Sequence, residues 1–318
     1  MQNEFKSVLQ EAPGLFPAQG FCSFDQREKN TDMNPTPFSI DREALRHDLD
    51  EIVQKAREEC FTEENLKRAL SLIDLTTLNA TDTSEHVRLF TEKVNDFPEH
   101  FPGLANVAAI CVYPNRVKTV EETLRLPEVN IASVSAGFPS SMTFPEVKIL
   151  ETKLALKAGA DEIDIVLNLG HFLSGNFQAA HDEIAAIKAC MGDAHLKVIL
   201  ETGALSSPED VWRASLLAIN AGADFIKTST GKLNPAATPE AAYVMCSALA
   251  FHYEETGEKI GFKPAGGIVS AEDALVYLAI VKELLGEEWL RPELFRIGAS
   301  RLANNLLSKI TGQTVAYF

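Results

Sequence analysis

Cysteine is scarce and badly placed for structural work: Cys22, Cys60, Cys111, Cys190 and Cys246 are scattered through 318 residues, odd in number and without a C-x-x-C pair. That spacing argues against a disulfide framework and against a zinc cluster, and points to reduced thiols. The seven histidines include no H-E-x-x-H and no close pair that would seat a metal on one helix face, so neither metal nor cofactor is expected. Long apolar runs are missing too, since nothing approaches the ~18 residues that a membrane span needs. The stretch Met1 to Gly20 lacks a basic segment followed by an apolar one. The expectation is a cytoplasmic chain with no membrane partner. Positive charge is in deficit, with 29 Lys plus Arg against 45 Asp plus Glu and a net charge of −16, which excludes a nucleic-acid-coating surface. A single basic cleft for a small anion stays allowed, because net charge describes only the surface average. Also absent is the G-x-G-x-x-G that would mark the dinucleotide site of an open doubly wound sheet. Thr230-Gly231-Lys232 is no P-loop, because Leu233 stands in the Ser/Thr position and the upstream glycine spacing is wrong.

What is present is an ordinary globular composition, 46% hydrophobic and 23% charged, laid out in a regular alternation. Eight short Val/Ile-rich runs, at 70–76, 107–113, 130–138, 161–168, 196–202, 224–230, 259–266 and 294–300, read as strands. Longer stretches of helical spacing separate them. Ser207-Pro208-Glu209 and Thr238-Pro239-Glu240 place a cap residue before a first-turn proline and an acid, and Ser270 with Asp273 forms a capping-box pair. Ala158-Gly159-Ala160-Asp161 and Ala221-Gly222-Ala223-Asp224 repeat one helix stop, glycine serving as the left-handed cap before the next strand. A repeated strand–helix–strand order demands a parallel sheet with right-handed crossovers, and eight units predict an α/β fold, a closed (β/α)8 TIM barrel. The barrel is expected over residues 63–318. Residues 1–62, Pro/Gly-rich and polar at 12–37 and helical in spacing at 42–60, are expected to form an N-terminal helical extension packed on it, because they have no strands or core of their own.

Strand parity then sorts side chains into lumen-facing and helix-facing sets. Ile163, Ile165 and Leu167 suit the helix side, which sends Glu162, Asp164, Val166 and Asn168 inward; Lys197 and Glu201 face inward by the same logic. Lys227 and Lys263 fall on adjacent strands. Two lysines buried together cannot both stay comfortably charged, so one should lose its proton near neutral pH and become a nucleophile for carbonyl carbon. The alternative is a structural pairing of each lysine with Asp164, Glu201 or Asp74. Gly266-Gly267 after the seventh strand and Gly298-Ala299-Ser300 after the eighth stand where barrels bind phosphate on backbone N–H groups.

The segments Asp-Phe-Ile-Lys-Thr-Ser-Thr-Gly-Lys (224–232), Gly-Phe-Lys-Pro-Ala-Gly-Gly (261–267) and Glu-Ile-Asp-Ile-Val-Leu-Asn (162–168) together resemble the deoxyribose-phosphate aldolase family of lysine-dependent class I aldolases. Ile-Asp-Leu-Thr-Thr-Leu-Asn (73–79), Ile-Cys-Val-Tyr-Pro (110–114) and Phe-Arg-Ile-Gly-Ala-Ser (295–300) support it, in the family's order. The resemblance implies reversible cleavage of a small-molecule sugar phosphate, 2-deoxy-D-ribose 5-phosphate, to acetaldehyde and D-glyceraldehyde 3-phosphate in deoxyribose-phosphate catabolism. It implies Lys227 as the Schiff-base lysine, Lys263 as the cation that depresses its pKa, and Asp164 as the proton shuttle. It points to Gly231, Lys232, Gly266, Gly267 and Ser300 for phosphate, with Thr230 and Asp74 lining the site, and to a homodimer. Two departures stand out. Arg301 replaces a second serine found in some relatives, and Tyr317, the family's tail tyrosine, is followed by Phe318. Tyr317 is read either as a proton-transfer participant or as part of an unstructured tail. The rival readings are another phosphate-binding lysine aldolase or transaldolase, and a catalytically silent barrel that binds sugar phosphates.

Overall fold

A computed structural model describes residues 39–318. Two helices, α1 (Arg42–Glu59) and α2 (Glu63–Ser71), precede the first strand. The strands are β1 (Ile73–Thr76), β2 (Ala109–Val112), β3 (Asn130–Val134), β4 (Glu162–Val166), β5 (His195–Ile199), β6 (Phe225–Lys227), β7 (Gly261–Lys263) and β8 (Ile297–Ala299). Between β1 and β5 run α3 (Ser84–His100), α4 (Val117–Thr123), α5 (Pro145–Lys157), the short α6 (Leu169–Leu173) and α7 (Phe177–Lys188). Then come α8 (Pro208–Asn220), α9 (Pro239–Thr256), α10 (Ala271–Leu285) and, after β8, α11 (Leu302–Thr311).

All eight strands pair in parallel, in the order β7-β6-β5-β4-β3-β2-β1-β8. The ring closes where Phe262 bridges Phe295 and Ala265 bridges Gly298; Phe262 N donates to Leu294 O at 2.9 Å and Arg296 N to Phe262 O at 3.1 Å. The expected barrel is therefore the observed one, with strands shorter than their apolar runs. The run at 70–76 shows why: Leu70 is a buried position of α2, so strand pairing starts only at Ile73. An apolar run continues through a helix end as readily as through a strand.

The repeated stop signal has a second function. Gly159 and Gly222 take φ of 109° and 94°, the region glycine supplies without penalty. The aspartates that follow reach back to the preceding strand: Asp161 Oδ2 accepts Ile131 N at 2.8 Å, and Asp224 Oδ2 accepts Leu196 N at 2.6 Å. Ser207, Thr238 and the Ser270–Asp273 box cap α8, α9 and α10 as their spacing predicts. Ile163, Ile165 and Leu167 join the core between sheet and helices, which leaves the other parity for the lumen.

Helix α1 lies against α9 and α10. Ile40 N donates to Glu209 Oε1 at 3.2 Å, Lys55 pairs with Glu283 at 3.2 Å, and the buried Tyr243 donates its hydroxyl to Asp48 at 3.0 Å. Residues 39–62 of the expected extension thus flank the barrel; the rest of that expectation, with Cys22, lies outside the described residues. Replacing Tyr243 by phenylalanine should lower unfolding stability by about 1 kcal/mol, the net worth of one such bond. A denaturant midpoint unchanged from wild type would show that this clamp contributes nothing.

The C-terminal tail is neither in the lumen nor unstructured. The Tyr317 hydroxyl donates to the Lys93 carbonyl of α3 at 2.7 Å, and the Tyr317 and Phe318 amides both donate to Asn304 of α11 at 2.9 Å. The Tyr317 ring packs among Phe97, His100, Phe101 and Phe318, so apolar burial against the helix layer holds it outside the barrel wall. Among the described residues no helix is long and apolar enough to cross a membrane.

Candidate active site

Seven charged side chains meet inside the barrel in two connected layers. In the lower layer, Arg296 reaches Asp74 and Glu162, each at 2.7 Å, and Lys197 lies 3.0 Å from Asp74 and also pairs with Glu162. Above it, one oxygen of Asp164, Oδ2, stands 2.7 Å from Lys227 Nζ and 2.7 Å from Lys263 Nζ. Lys263 Nζ also sits 2.5 Å from Asp74, which joins the layers. Lys227 and Lys263 are direct register partners on β6 and β7, so backbone pairing fixes their proximity.

The charges do not balance. Lys197, Lys227, Lys263 and Arg296 make four cations against the three carboxylates Asp74, Glu162 and Asp164. In low dielectric such an excess of positive charge favours release of a proton, most of all from the amine with the least support. Lys263 touches two carboxylates; Lys227 touches one, and shares it. Burial pushes the Lys227 amine down; Asp164 pulls it up, the Lys263 cation pushes it down again, and the net shift is downward. For Lys263 burial acts the same way, but Asp164 and Asp74 outweigh it and hold the ammonium protonated. Burial would raise the Asp164 carboxyl, yet Lys227 and Lys263 together hold it well below the usual carboxylate range. Its second oxygen, Oδ1, is buried and accepts no hydrogen bond.

The opposite wall is apolar: Leu78, Cys111 and Val134 cluster there with Tyr113 and Phe138. Burial raises the Cys111 thiol, which suits a packing residue. At the mouth, the loops after β6 and β7 touch through glycine. A Cβ on Gly266 would stand 2.9 Å from Gly231 Cα and 2.8 Å from Ala236 Cβ, so the loops approach this closely only because Gly266 lacks a side chain. Gly267 faces open space, and Ser300 is exposed just before α11, whose first turn carries no side-chain cap. Thr230 gives its hydroxyl to Glu201 at 2.5 Å, and Lys232 Nζ spans the mouth to the Leu78 carbonyl at 2.7 Å.

The structure brings Lys227, Lys263 and Asp164 together and gathers Thr230, Gly231, Lys232, Gly266 and Gly267 on the two loops above them. Asp74 departs from expectation. It lies beneath Lys263, fully buried, with one oxygen on Arg296 and the other on Lys197 and Lys263, so no atom of it is left to line a substrate site. Asn168 also departs: β4 ends at Val166, alternation ends with it, and Asn168 instead caps α6 and donates to Glu183 at 3.2 Å. Arg296 was not singled out by sequence reasoning, although its parity opposite Ile297 marks it as inward-facing. Thr228, which accepts Ala265 N at 3.0 Å and pins the β7 loop, carried no signal beyond its polarity.

Residues 68–283 match the DeoC/LacD family aldolase, a span that includes Asp74, Asp164, Lys227 and Lys263. The chain belongs to the DeoC/LacD aldolase family. Among its relatives, the deoxyribose-phosphate aldolase of Homo sapiens is 45% identical over 268 residues, covering 79% of this chain and 84% of the relative. That of Bos taurus is 43% identical over 268 residues with the same coverage. Among solved structures, the tetrameric deoxyribose phosphate aldolase of Aeropyrum pernix superposes with a TM-score of 0.62 at 27% identity, over 81% of this chain and 97% of that one. For a DeoC/LacD aldolase, a lumen with paired lysines is the chemically apt feature, because an amine free of its proton is what attacks an aldehyde.

Proposed function

We propose that this DeoC/LacD aldolase reversibly cleaves 2-deoxy-D-ribose 5-phosphate to acetaldehyde and D-glyceraldehyde 3-phosphate through a Schiff base on Lys227, as a cytoplasmic enzyme of deoxyribose-phosphate catabolism. The observation that carries the reading is the unbalanced lumen, in which Lys227 is the less supported of the two amines and is made less basic by burial and by Lys263. Neutral Lys227 adds to C1, and loss of water gives an iminium ion. Acetaldehyde carries C1 and C2, so the bond that breaks is C2–C3. Its electron pair flows toward the iminium nitrogen to form an enamine, while the C3 hydroxyl loses its proton and becomes the aldehyde of the three-carbon product. Protonation at C2 and hydrolysis then release acetaldehyde and return Lys227.

Asp164 is the proton carrier in this scheme: Oδ2 is held between the two amines while Oδ1, with Lys197 3.7 Å away, accepts no hydrogen bond, so Oδ1 is the acceptor available for the transfers. Lys263 acts by staying charged, and Asp74 is a positioning residue that keeps it so. The phosphate is assigned to Gly231, Lys232, Gly266, Gly267 and Ser300, which lie on the glycine turns after β6 and β7 and just before α11, whose first turn has no side-chain cap.

Borohydride trapping tests the proposal. The protein incubated with 2-deoxyribose 5-phosphate and reduced should carry one added mass on the peptide containing Lys227, lost in Lys227→Leu. Folded protein that yields no adduct, while a lysine aldolase in parallel is trapped, would overturn it.

A further inference from the structure

Hydrogen bonding between β5 and β6 runs on past the end of β5, with one residue out of line. Leu200 N donates to Lys227 O and Thr202 N to Thr228 O, both at 2.9 Å, while Glu201 between them takes φ 54° and ψ 57°. That left-handed backbone is sterically costly for a residue with a Cβ, and glycine would adopt it freely. Strain of this kind persists only where surrounding contacts over-determine it, and here the contacts are those of the side chain. Glu201 is 4% exposed and forms no ion pair among the described residues. Its carboxylate serves one residue: Oε1 accepts Thr230 N at 3.2 Å, and Oε2 accepts the Thr230 hydroxyl at 2.5 Å.

Those two bonds shape the loop to which the phosphate is assigned. With its proton given to Glu201, the Thr230 hydroxyl oxygen is left as an acceptor and takes Lys232 N at 3.0 Å. A hydroxyl that donates to a carboxylate is the better acceptor for it. The amides on either side of Gly231 are thereby tied into the turn, while Gly231 N–H donates to no described residue. The far end of the loop stands on the same stretch of chain. A Cβ on Gly203 would collide with the Pro235 carbonyl oxygen, so the Thr202–Ala204 turn lies directly against the loop there. Ala237 N then donates to Gly266 O at 3.3 Å and fastens the loop to its neighbour after β7. The nucleophile has other supports: Lys227 is fixed by Leu200, by its register with Lys263 and by Asp164.

We propose that Glu201 is a positioning residue: through Thr230 it holds Gly231 and Lys232 in the conformation that receives the substrate's phosphate, and so sets the preference for phosphorylated over unphosphorylated sugar. The inference rests on the function proposed above. Glu201 does not act on substrate itself, since both of its oxygens are taken by Thr230 and its charge would repel a phosphate placed against it. Loosening the loop removes an interaction made equally in ground and transition states, so the loss falls on KM and leaves kcat.

Glu201→Gly tests this, because glycine keeps the left-handed backbone unstrained and removes only the side chain. Rates are compared on 2-deoxyribose 5-phosphate and on 2-deoxyribose. KM for the phosphorylated sugar should rise at least about tenfold with kcat within about threefold, and kcat/KM for 2-deoxyribose, which has no phosphate to place, should stay within about threefold of wild type. Inorganic phosphate should lose at least about tenfold in potency as an inhibitor of 2-deoxyribose cleavage, in parallel with that rise in KM. If Glu201→Gly does not melt cooperatively, Glu201→Gln carries the same comparison, since it keeps the side-chain volume but offers one acceptor oxygen to two donors. A variant whose KM for 2-deoxyribose 5-phosphate matches wild type would overturn the inference and leave the proposed function standing. So would equal losses on the two sugars, which would make Glu201 a support of the barrel as a whole. A wild type that cleaves neither sugar would overturn the function, and the inference with it.

Discussion

Lys227→Leu should lose on the order of 10⁴–10⁶-fold in kcat/KM for 2-deoxyribose 5-phosphate, the scale seen when a covalent nucleophile is removed, and should do so without loss of fold. The second half of that expectation separates catalysis from structure. If Lys227 were a structural counterion, its removal would leave a buried carboxylate uncompensated, at a cost of about 3–5 kcal/mol. Asp164, however, keeps Lys263 at 2.7 Å when Lys227 is gone, with Lys197 3.7 Å from its other oxygen. The lumen then holds Lys197, Lys263 and Arg296 against Asp74, Glu162 and Asp164, three charges of each sign. The variant should therefore melt at or above the wild-type temperature while inactive. Lys227→Leu that retains activity within tenfold of wild type would sink the Schiff-base assignment, and one that fails to fold would favour the structural pairing.

The same two-layer lumen shows where sequence was informative and where it was not. Parity along Glu162–Val166 placed Glu162 and Asp164 inward because a barrel strand buries both faces and only one of them meets apolar helices. The stop signals around Gly159 and Gly222 were legible because left-handed backbone is a local property. Which acid pairs with which base was not, since Asp74 and Arg296 are 222 residues apart and meet only when β1 and β8 adjoin. Asp74 was accordingly expected to line the substrate site although it lies in the layer below. Asn168 was misplaced because nothing in the alternation announces that β4 ends at Val166. The tail was the hardest: the docking of Tyr317 depends on an aromatic pocket assembled from α3 and Phe318, which no local pattern describes.

Lys263→Leu is the sharper test of how the site works, because it should move a pH profile as well as lower a rate. In the proposed mechanism the neutral amine of Lys227 is the reactive form, so wild-type activity should fall on acidification as that amine takes up a proton. Lys263 pushes the Lys227 amine downward by its charge. Remove that charge, and Lys197, Lys227 and Arg296 stand against Asp74, Glu162 and Asp164, so Lys227 keeps its proton to higher pH with Asp164 as its own partner. Each unit by which its pKa rises is a tenfold loss of neutral amine at a fixed pH below it, or about 1.4 kcal/mol. A loss on the order of 10²–10³-fold at pH 7 is expected, recovering by up to tenfold per pH unit as the medium is made alkaline. Lys263→Arg, which retains the charge, should leave the acid limb of kcat/KM where the wild type has it, whatever misfit lowers the plateau. The fold should survive both changes, since Asp74 still holds Lys197 and Arg296. A Lys263→Leu profile parallel to the wild type, lower but with its limb in the same place, would mean that Lys263 works by shape and hydrogen bonding. The depressed basicity of Lys227 would then have to come from burial alone.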